Sequence, residues 1–219
     1  SVSLTAKPKV QVRDIKAIPD YDASFTDASL AITAEVSNLS GKKQKGLQIH
    51  YSLYENTLYG DDNKLVQGVS AVAQVDAMDK TGDATAHVVL HAGKRVKPWS
   101  AQAPHRYTLV GELKDAKGRV IETFSTIVGF RKIEIKETAA KDDEFGLAGR
   151  YYYLNGKPIK MKGVNRHENN PKTGHYVTRQ QMEHEVFLMK QGNINHVRNC
   201  HYPDAPYWYY LCDKYGIYL

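Results

Sequence analysis

A chain of 219 residues is long enough for one large domain or two ordinary ones, and its 42% hydrophobic and 25% charged residues are typical of a globular protein. No apolar run approaches the roughly 18–20 residues of a membrane-spanning helix, so we expect no membrane partner. The net charge of +6 is spread along the chain, and its densest run, at 42–45, lies between glycines that indicate a surface turn. We therefore expect no nucleic-acid partner.

The first part of the chain, residues 1–137, alternates apolar and polar residues in short blocks. Such alternation predicts half-buried strands, and clusters of Gly, Asn, Asp and Ser, one of them at 59–63, predict the turns between them. About seven strands over this length predict an antiparallel, immunoglobulin-like β-sandwich. The predicted strands cover residues 9–18, 30–39, 47–55, 84–92, 106–115, 121–130 and 131–137.

The pattern changes near residue 140. Residues 136–146 are charged and aperiodic, which is typical of a linker or loop. Beyond them, two apolar runs flank Asn155-Gly156, a pair that predicts a two-residue β-hairpin turn. We place the domain boundary here, with one domain at 1–137 and a second at 138–219.

Two helices follow the hairpin. Thr178 and Gln181 have the spacing of a capping box, and the helix they begin ends at Gly192. Its buried face is predicted to contain Met182, Val186 and Met189. A short strand at 194–199 leads to a second helix, which begins at Asp204 or Pro206, buries Trp208, Leu211, Cys212 and Tyr215, and ends at Gly216.

The order of elements in residues 159–219 is β-α-β-α-β. Such an order predicts a parallel sheet with right-handed crossovers, and parallel sheets are normally covered on both faces. Two helices cannot close a barrel. The expected fold is therefore mixed: a sandwich, then a hairpin and the first two units of a (β/α)8 barrel, with the chain ending inside the barrel domain.

Functional side chains in parallel β/α folds gather where the strands end. The first such segment contains Asn165, Arg166, His167 and Glu168, and the second contains Arg198 and His201. Two alternatives remain open here: His167 as a polar loop residue, and His201 as a structural histidine beside Tyr202 and Pro203. Arg198 is expected to be partly buried and to need a carboxylate partner.

Other chemistry is not supported by the spacing. His184-Glu185 and His167-Glu168 both lack the second histidine of an H-E-x-x-H metal site. Cys200 and Cys212 are too few for a zinc site or a disulfide framework, so we predict no metal site in this chain. A nucleophilic Cys200 paired with His201 is disfavoured, because neighbouring side chains at a strand end usually diverge.

The motifs resemble the glycoside hydrolase family 2 enzymes, and their β-galactosidases most of all. The similarity covers the whole chain and is strongest after about residue 95. Asn165-Arg166-His167-Glu168 with Pro171, and Pro206-x-Trp208-Tyr209, favour the β-galactosidases. The family signature matches at Asn195, Val197, Arg198, Asn199-Cys200, His201-Tyr202-Pro203, Trp208-Tyr209, Asp213, Gly216 and Ile217-Tyr218-Leu219.

This resemblance implies site roles. His167 and His201 match histidines that contact the sugar and stabilise the transition state, and Asn165 is assigned to the same substrate site. Arg198 matches an arginine beneath the catalytic nucleophile, with Arg166 and Glu168 as supporting residues. Glu168 is expected to hold its own loop by pairing locally. The family is retaining, with one acid/base and one nucleophilic glutamate, and the longer protein is expected to hydrolyse terminal β-galactosides.

The resemblance also implies what this chain lacks. Both catalytic glutamates and the ligands of Mg²⁺, with Na⁺ as a possible second ion, match later parts of such enzymes. We therefore expect no cofactor in this chain and no turnover by the chain alone. The longer protein to which this chain would belong is expected to be a bacterial-type enzyme that forms homo-oligomers. It is expected in the cytoplasm or the periplasm. The alternative function is a non-catalytic carbohydrate-binding or interaction sandwich, which would require exposed aromatic residues.

Overall fold

The computed structural model describes residues 4–57, 63–143 and 146–219. The chain divides into two compact units. The first comprises residues up to Lys97 together with Tyr107–Phe130, and the second comprises Pro98–Arg106 together with Arg131–Leu219. Compactness alone does not define a domain, so the boundary between residues 137 and 138 stays a prediction. The predicted turn at 59–63 lies, apart from Asn63, outside the described residues.

The first unit is a β-sandwich, as predicted. The strands are β1 (Val10–Tyr21), β2 (Ala28–Asn38), β3 (Gln48–Asn56), β4 (Leu65–Gln74), β5 (Gly82–Gly93), β6 (Arg106–Lys114) and β7 (Val120–Val128). One sheet has the strand order β1-β2-β5 and the other β4-β3-β6-β7. Side chains from both sheets form one apolar core.

Alternation along the strands fills this core. In β2, Leu30, Ile32 and Val36 are at most 2% exposed, and in β3 Ile49 and Leu53 are fully buried. A strand directs every second side chain to the same face, so each of these residues faces the opposite sheet. Burying one such side chain contributes about 1.5–3 kcal/mol, so the inward faces of these strands stabilise the unit.

The predicted set of seven sandwich strands was wrong at two places. Strand β4 was not predicted, because its apolar and polar residues do not alternate regularly. The cause is an irregularity in the pairing: Gly68 has a φ of +71°, and the β3–β4 register shifts between Ser52 and Tyr54. The last predicted strand, at 131–137, does not belong to the sandwich. It forms β8 (Ile133–Thr138) and pairs in the second unit.

The second unit begins with a small antiparallel sheet. Its strand order is β10-β9-β8, with β9 at Gly149–Leu154 and β10 at Lys157–Pro158. Asn155 and Gly156 have φ angles of 50° and 77°, which is the left-handed geometry of a type I′ hairpin turn. The predicted hairpin is confirmed. The predicted linker is partly wrong, since β8 runs to Thr138 and a 3-10 turn follows at Ala140–Asp142.

The β-α-β-α-β order is also confirmed. Strand β11 (Gly163–Arg166) pairs in parallel with β12 (His196–Asn199), and His196 forms a parallel bridge to Tyr218. The helices are α1 (Arg179–Gln191) and α2 (Pro206–Tyr215). Their buried faces share a second apolar core with Val197. No helix in the described part of the chain is long and apolar enough to cross a membrane.

Local chemistry determines the helix ends. The Thr178 hydroxyl accepts from the Gln181 backbone N–H, and the Gln181 side chain accepts from the Thr178 backbone N–H, so the predicted capping box is present. Helix α2 begins at Pro206, with Ala205 as its N-cap. Its end at Gly216 has a φ of +70°, the left-handed conformation that glycine adopts without strain.

Trp99 belongs to the second unit, although the sequence suggests that it lies in the sandwich. It is 4% exposed, its indole Nε1 donates to the backbone oxygen of Asp213 at 2.9 Å, and the Arg131 guanidinium lies 5.1 Å from its ring centroid. Pro98–Arg106 thus connects two sandwich strands but packs on the end of α2. Trp99 is packed and not available as an exposed sugar-binding aromatic.

Candidate functional site

Two histidines meet where adjacent parallel strands end. The register pairs Asn165 with Arg198 and Arg166 with Asn199, so β11 and β12 finish side by side. His167 and His201 follow these ends, and their ring centroids are 5.8 Å apart in an edge-to-face arrangement with an interplanar angle of 85°. Both residues are exposed. The structure therefore brings together the two side chains that the sequence placed on separate loops.

A second pair of rings lies in the same two loops. His175 and Tyr202 have centroids 5.8 Å apart, also edge to face, and His175 Nδ1 lies 3.2 Å from the backbone oxygen of Glu168. His175 was not among the candidates predicted from the sequence. Its only local signal was a polar loop ahead of the Thr178 cap, which does not reveal that the chain folds back on Glu168.

Arg166 is the buried arginine of the site. Its side chain is 4% exposed and reaches two carboxylates: Nε donates to Glu185 Oε2 at 2.7 Å, and Nη1 donates to Asp204 Oδ2 at 2.6 Å. Its guanidinium also lies 3.9 Å from the ring centroid of Trp208. A buried charge must be paired, and here the partners come from α1 and from the segment before α2.

Arg198 is exposed, which contradicts the expectation of partial burial. In β12 the neighbouring residue Val197 is buried, and alternation therefore places Arg198 on the opposite face. Its Nη1 lies 3.4 Å from Cys200 Sγ. Strand β12 therefore presents the Arg198 guanidinium on the face opposite buried Val197.

Glu168 also differs from expectation. The sequence suggests a local pairing within its own loop. In the structure Glu168 is 8% exposed and its Oε2 accepts from the backbone N–H of Ala205 at 2.8 Å, across 37 residues. It therefore joins the two loops to each other.

The remaining candidates are placed as follows. Asn165 is exposed at the end of β11. Cys200 is 2% exposed while His201 is exposed, so the two neighbouring side chains occupy different environments and do not form a nucleophilic dyad. The roles assigned to Asn165, His167, His201 and Arg198 stay predictions.

The implied Mg²⁺ does not fit the residues present. Within the described ranges, no group of three or more His, Cys, Asp and Glu side chains could hold a metal ion. Near the histidines, Glu185 and Asp204 already pair with Arg166, and Glu168 accepts from Ala205. No chemical step proposed below passes through a metal ion.

Comparison with known proteins matches both parts of the chain. The sequence profile described as "Glycosyl hydrolases family 2" matches residues 10–131, and the one described as "Glycosyl hydrolases family 2, TIM barrel domain" matches residues 146–219. Together with the strand order, these matches confirm the expected fold: an antiparallel sandwich followed by the start of a barrel, whose strands in the described ranges do not close.

Curated relatives align along the whole chain. The β-galactosidase of Photobacterium profundum is 35% identical over 220 residues, which is 100% of this chain and 19% of that protein. The β-galactosidase of Vibrio vulnificus (strain CMCP6) is 35% identical over 218 residues, with the same coverage. The chain thus spans about a fifth of the length of these relatives.

Solved structures share the fold. The β-glucuronidase of Parabacteroides merdae, crystallised with glycerol in its active site, superimposes with a TM-score of 0.71 over 96% of this chain and 23% of its own. The two sequences are 22% identical, so the likeness concerns the fold alone.

Proposed function

Because the chain belongs to glycosyl hydrolase family 2, we propose that it forms part of the sugar site of a retaining hydrolase that cleaves terminal β-D-galactosides. The observation that carries this proposal is the exposed pair His167 and His201 at the ends of adjacent parallel strands. The 35% identity to curated β-galactosidases along the whole chain supports galactosides over other sugars.

The geometry suits recognition of one sugar ring. Each imidazole can donate a hydrogen bond from a ring N–H, and centroids 5.8 Å apart allow both rings to reach hydroxyls of the same galactosyl group. Retaining hydrolases pass through an oxocarbenium-like transition state, and donors placed before the reaction stabilise charge that develops there. Asn165 adds an exposed amide at the same strand end.

We further propose that the acid/base and nucleophilic glutamates lie elsewhere in the longer protein. Retention requires two carboxyl groups about 5–5.5 Å apart on either side of the scissile bond. The nearby acidic residues Glu168, Glu185 and Asp204 are already bound to a backbone N–H or to Arg166. Exposed Arg198 is the group proposed to support the nucleophile.

The proposal for the longer protein includes Mg²⁺, a homo-oligomeric assembly and a cytoplasmic or periplasmic location.

The substrate class is the part of the proposal that can be tested with this chain. Galactose should bind with a Kd on the order of millimolar, as expected for a few hydrogen bonds from half a site. Glucose and glucuronate serve as the comparison sugars.

The experiment is a sugar titration of the 219-residue chain, monitored by NMR of its ¹³C-labelled histidine side chains. Galactose should shift the His167 and His201 signals and leave exposed His184 on α1 unchanged. His201→Ala should abolish the galactose-dependent shifts, and His184→Ala is the matched control.

Three results would count against these proposals. Galactose binding that maps to residues 10–130 would instead favour a carbohydrate-binding sandwich, and a preference for glucuronate would remove the galactoside assignment. Cleavage of an aryl β-galactoside by the pure chain, abolished by His201→Ala, would contradict the placement of the glutamates elsewhere.

A further inference from the structure

Arg166, at the end of β11, contacts both helices and the segment that links His201 to α2. It is the last residue of β11, directly before His167, and its guanidinium binds Glu185 of α1 and Asp204, which lies three residues after His201. Trp208 of α2 covers the guanidinium at 3.9 Å. A single buried side chain thus ties one histidine's strand to the other histidine's loop.

Two further bonds tie the same loops together. The backbone N–H of Cys200, directly before His201, donates to the backbone oxygen of Arg166 at 2.8 Å. Glu168, directly after His167, accepts from the Ala205 N–H at 2.8 Å. The residues on both sides of His167 are therefore bound to the loop that carries His201, while the two rings remain exposed between these bonds.

We propose that Arg166, together with Asp204, is a positioning residue that sets the spacing and orientation of His167 and His201 for a galactose-class sugar. The sugar part of this inference rests on the proposed function. Arg166 does not need to touch the sugar, because it is 4% exposed and its effect passes through the loops that it joins. Hydrogen-bond donors must be held near their productive geometry before the ligand arrives.

The guanidinium is essential to this role. Arginine presents several N–H groups in a rigid plane, and here two of its nitrogens serve two different carboxylates while the plane lies against Trp208. A lysine keeps the charge but presents a single nitrogen and no plane. In Arg166→Lys, we therefore expect the side chain to keep one of the two carboxylates as a partner and to lose the other. The element that carries the lost carboxylate is then no longer held.

The test compares three variants of the 219-residue chain with the wild type. Arg166→Lys is the main variant, and Asp204→Asn is a milder second one that keeps the size of the side chain and an oxygen acceptor. Arg179→Lys is the matched control, because Arg179 is an exposed arginine at the start of α1 whose guanidinium lies 4.8 Å from the Tyr207 ring centroid. All measurements are made where tryptophan fluorescence shows each variant folded.

The first readout is the nuclear Overhauser effect between ring protons of His167 and His201 without sugar. We expect it in the wild type and in Arg179→Lys, and we expect its loss in Arg166→Lys and its weakening in Asp204→Asn. The second readout is galactose affinity, which should fall about tenfold in Arg166→Lys, the effect of one misplaced hydrogen bond.

A purely structural role predicts a different result. In that case Arg166→Lys lowers the urea midpoint, but its folded form keeps the ring-to-ring effect and the wild-type galactose affinity, and the proposal is overturned. If Arg166→Lys does not fold, an unchanged ring-to-ring effect in Asp204→Asn overturns it equally. If galactose shifts neither histidine in the wild type, the proposed function fails, whereas the sugar-free ring-to-ring effect still decides the positioning role.

Discussion

Replacing Gly216 with alanine tests how the end of α2 is built. Gly216 has a φ of +70°, and a Cβ added there would lie 2.3 Å from the backbone oxygen of Ala101 and 2.8 Å from its carbonyl carbon. Real Cβ atoms essentially never approach other heavy atoms so closely. Because the contact is with backbone, no side-chain rotation can relieve it, and the Pro98–Arg106 segment or the helix end must move.

The expected cost has two parts. A left-handed conformation costs a non-glycine residue about 1–2 kcal/mol. Forcing an extra methyl group into a packed site costs about 1–3 kcal/mol more. We therefore expect Gly216→Ala to lower the unfolding free energy of the second unit by about 2–5 kcal/mol, a large fraction of a typical domain's stability.

The assay is urea unfolding monitored by tryptophan fluorescence. The sequence has two tryptophans, Trp99 and Trp208, and both lie in the second unit, so the signal reports that unit directly. Gly174→Ala is the matched control, because Gly174 has a φ of +65° with nothing within 4 Å of the added Cβ. The control should lose only the conformational part, about 1–2 kcal/mol.

The difference between the two variants isolates the contact with Ala101. If Gly216→Ala and Gly174→Ala lose the same free energy, the close approach of Pro98–Arg106 to α2 does not exist in solution. If Gly216→Ala is as stable as the wild type, the left-handed helix end is also refuted.

Two further predictions concern buried ionisable groups near α2. Burial raises the pKa of the Asp213 carboxyl above its ordinary value of 3.8, and Arg131 and Arg106 partly oppose the shift. Because its pKa is raised in the folded protein, Asp213 stabilises the fold most at pH values below the pKa of the unfolded chain, and less as pH rises. Asp213→Asn should therefore lower the unfolding free energy less at about pH 7 than at about pH 4. Urea unfolding at both pH values measures the two losses, and the opposite order would refute the prediction. Burial also raises the pKa of the Cys212 thiol to about 12, and Cys200 and Cys212 are each 2% exposed, so neither should react with an aromatic disulfide reagent until urea unfolds the second unit. Reaction of either thiol in the native protein would contradict that burial.

Features encoded by neighbouring residues were predictable. The Asn155-Gly156 turn follows from residues that tolerate left-handed conformations, and the start of α1 follows from the reciprocal bonds of Thr178 and Gln181. The two histidines were also predictable as candidates, since the β-α-β order places each at the end of a parallel strand. Each of these predictions needs only a few residues of sequence and the periodicity around them.

Strand membership was less predictable. Alternation identified β8 as a strand but could not decide which sheet it joins, because pairing depends on β9 at residues 149–154. Strand β4 escaped detection because Gly68 breaks the alternation that reveals a strand. For β8 the missing information lies in the partner strand, whereas for β4 it lies in an irregularity within the strand itself.

By itself, the sequence determined the succession of elements, the turns and caps, and the pair of histidines that invites a functional interpretation. Tertiary structure alone decided that Trp99 packs on the end of α2, that Arg198 is exposed, and that Arg166 binds Glu185 and Asp204. The bonded partners of Trp99 and Arg166 are 19 to 114 residues away in the chain. Local propensities act over a few residues, whereas a buried charge or indole takes whichever partner the packed core brings within bonding distance.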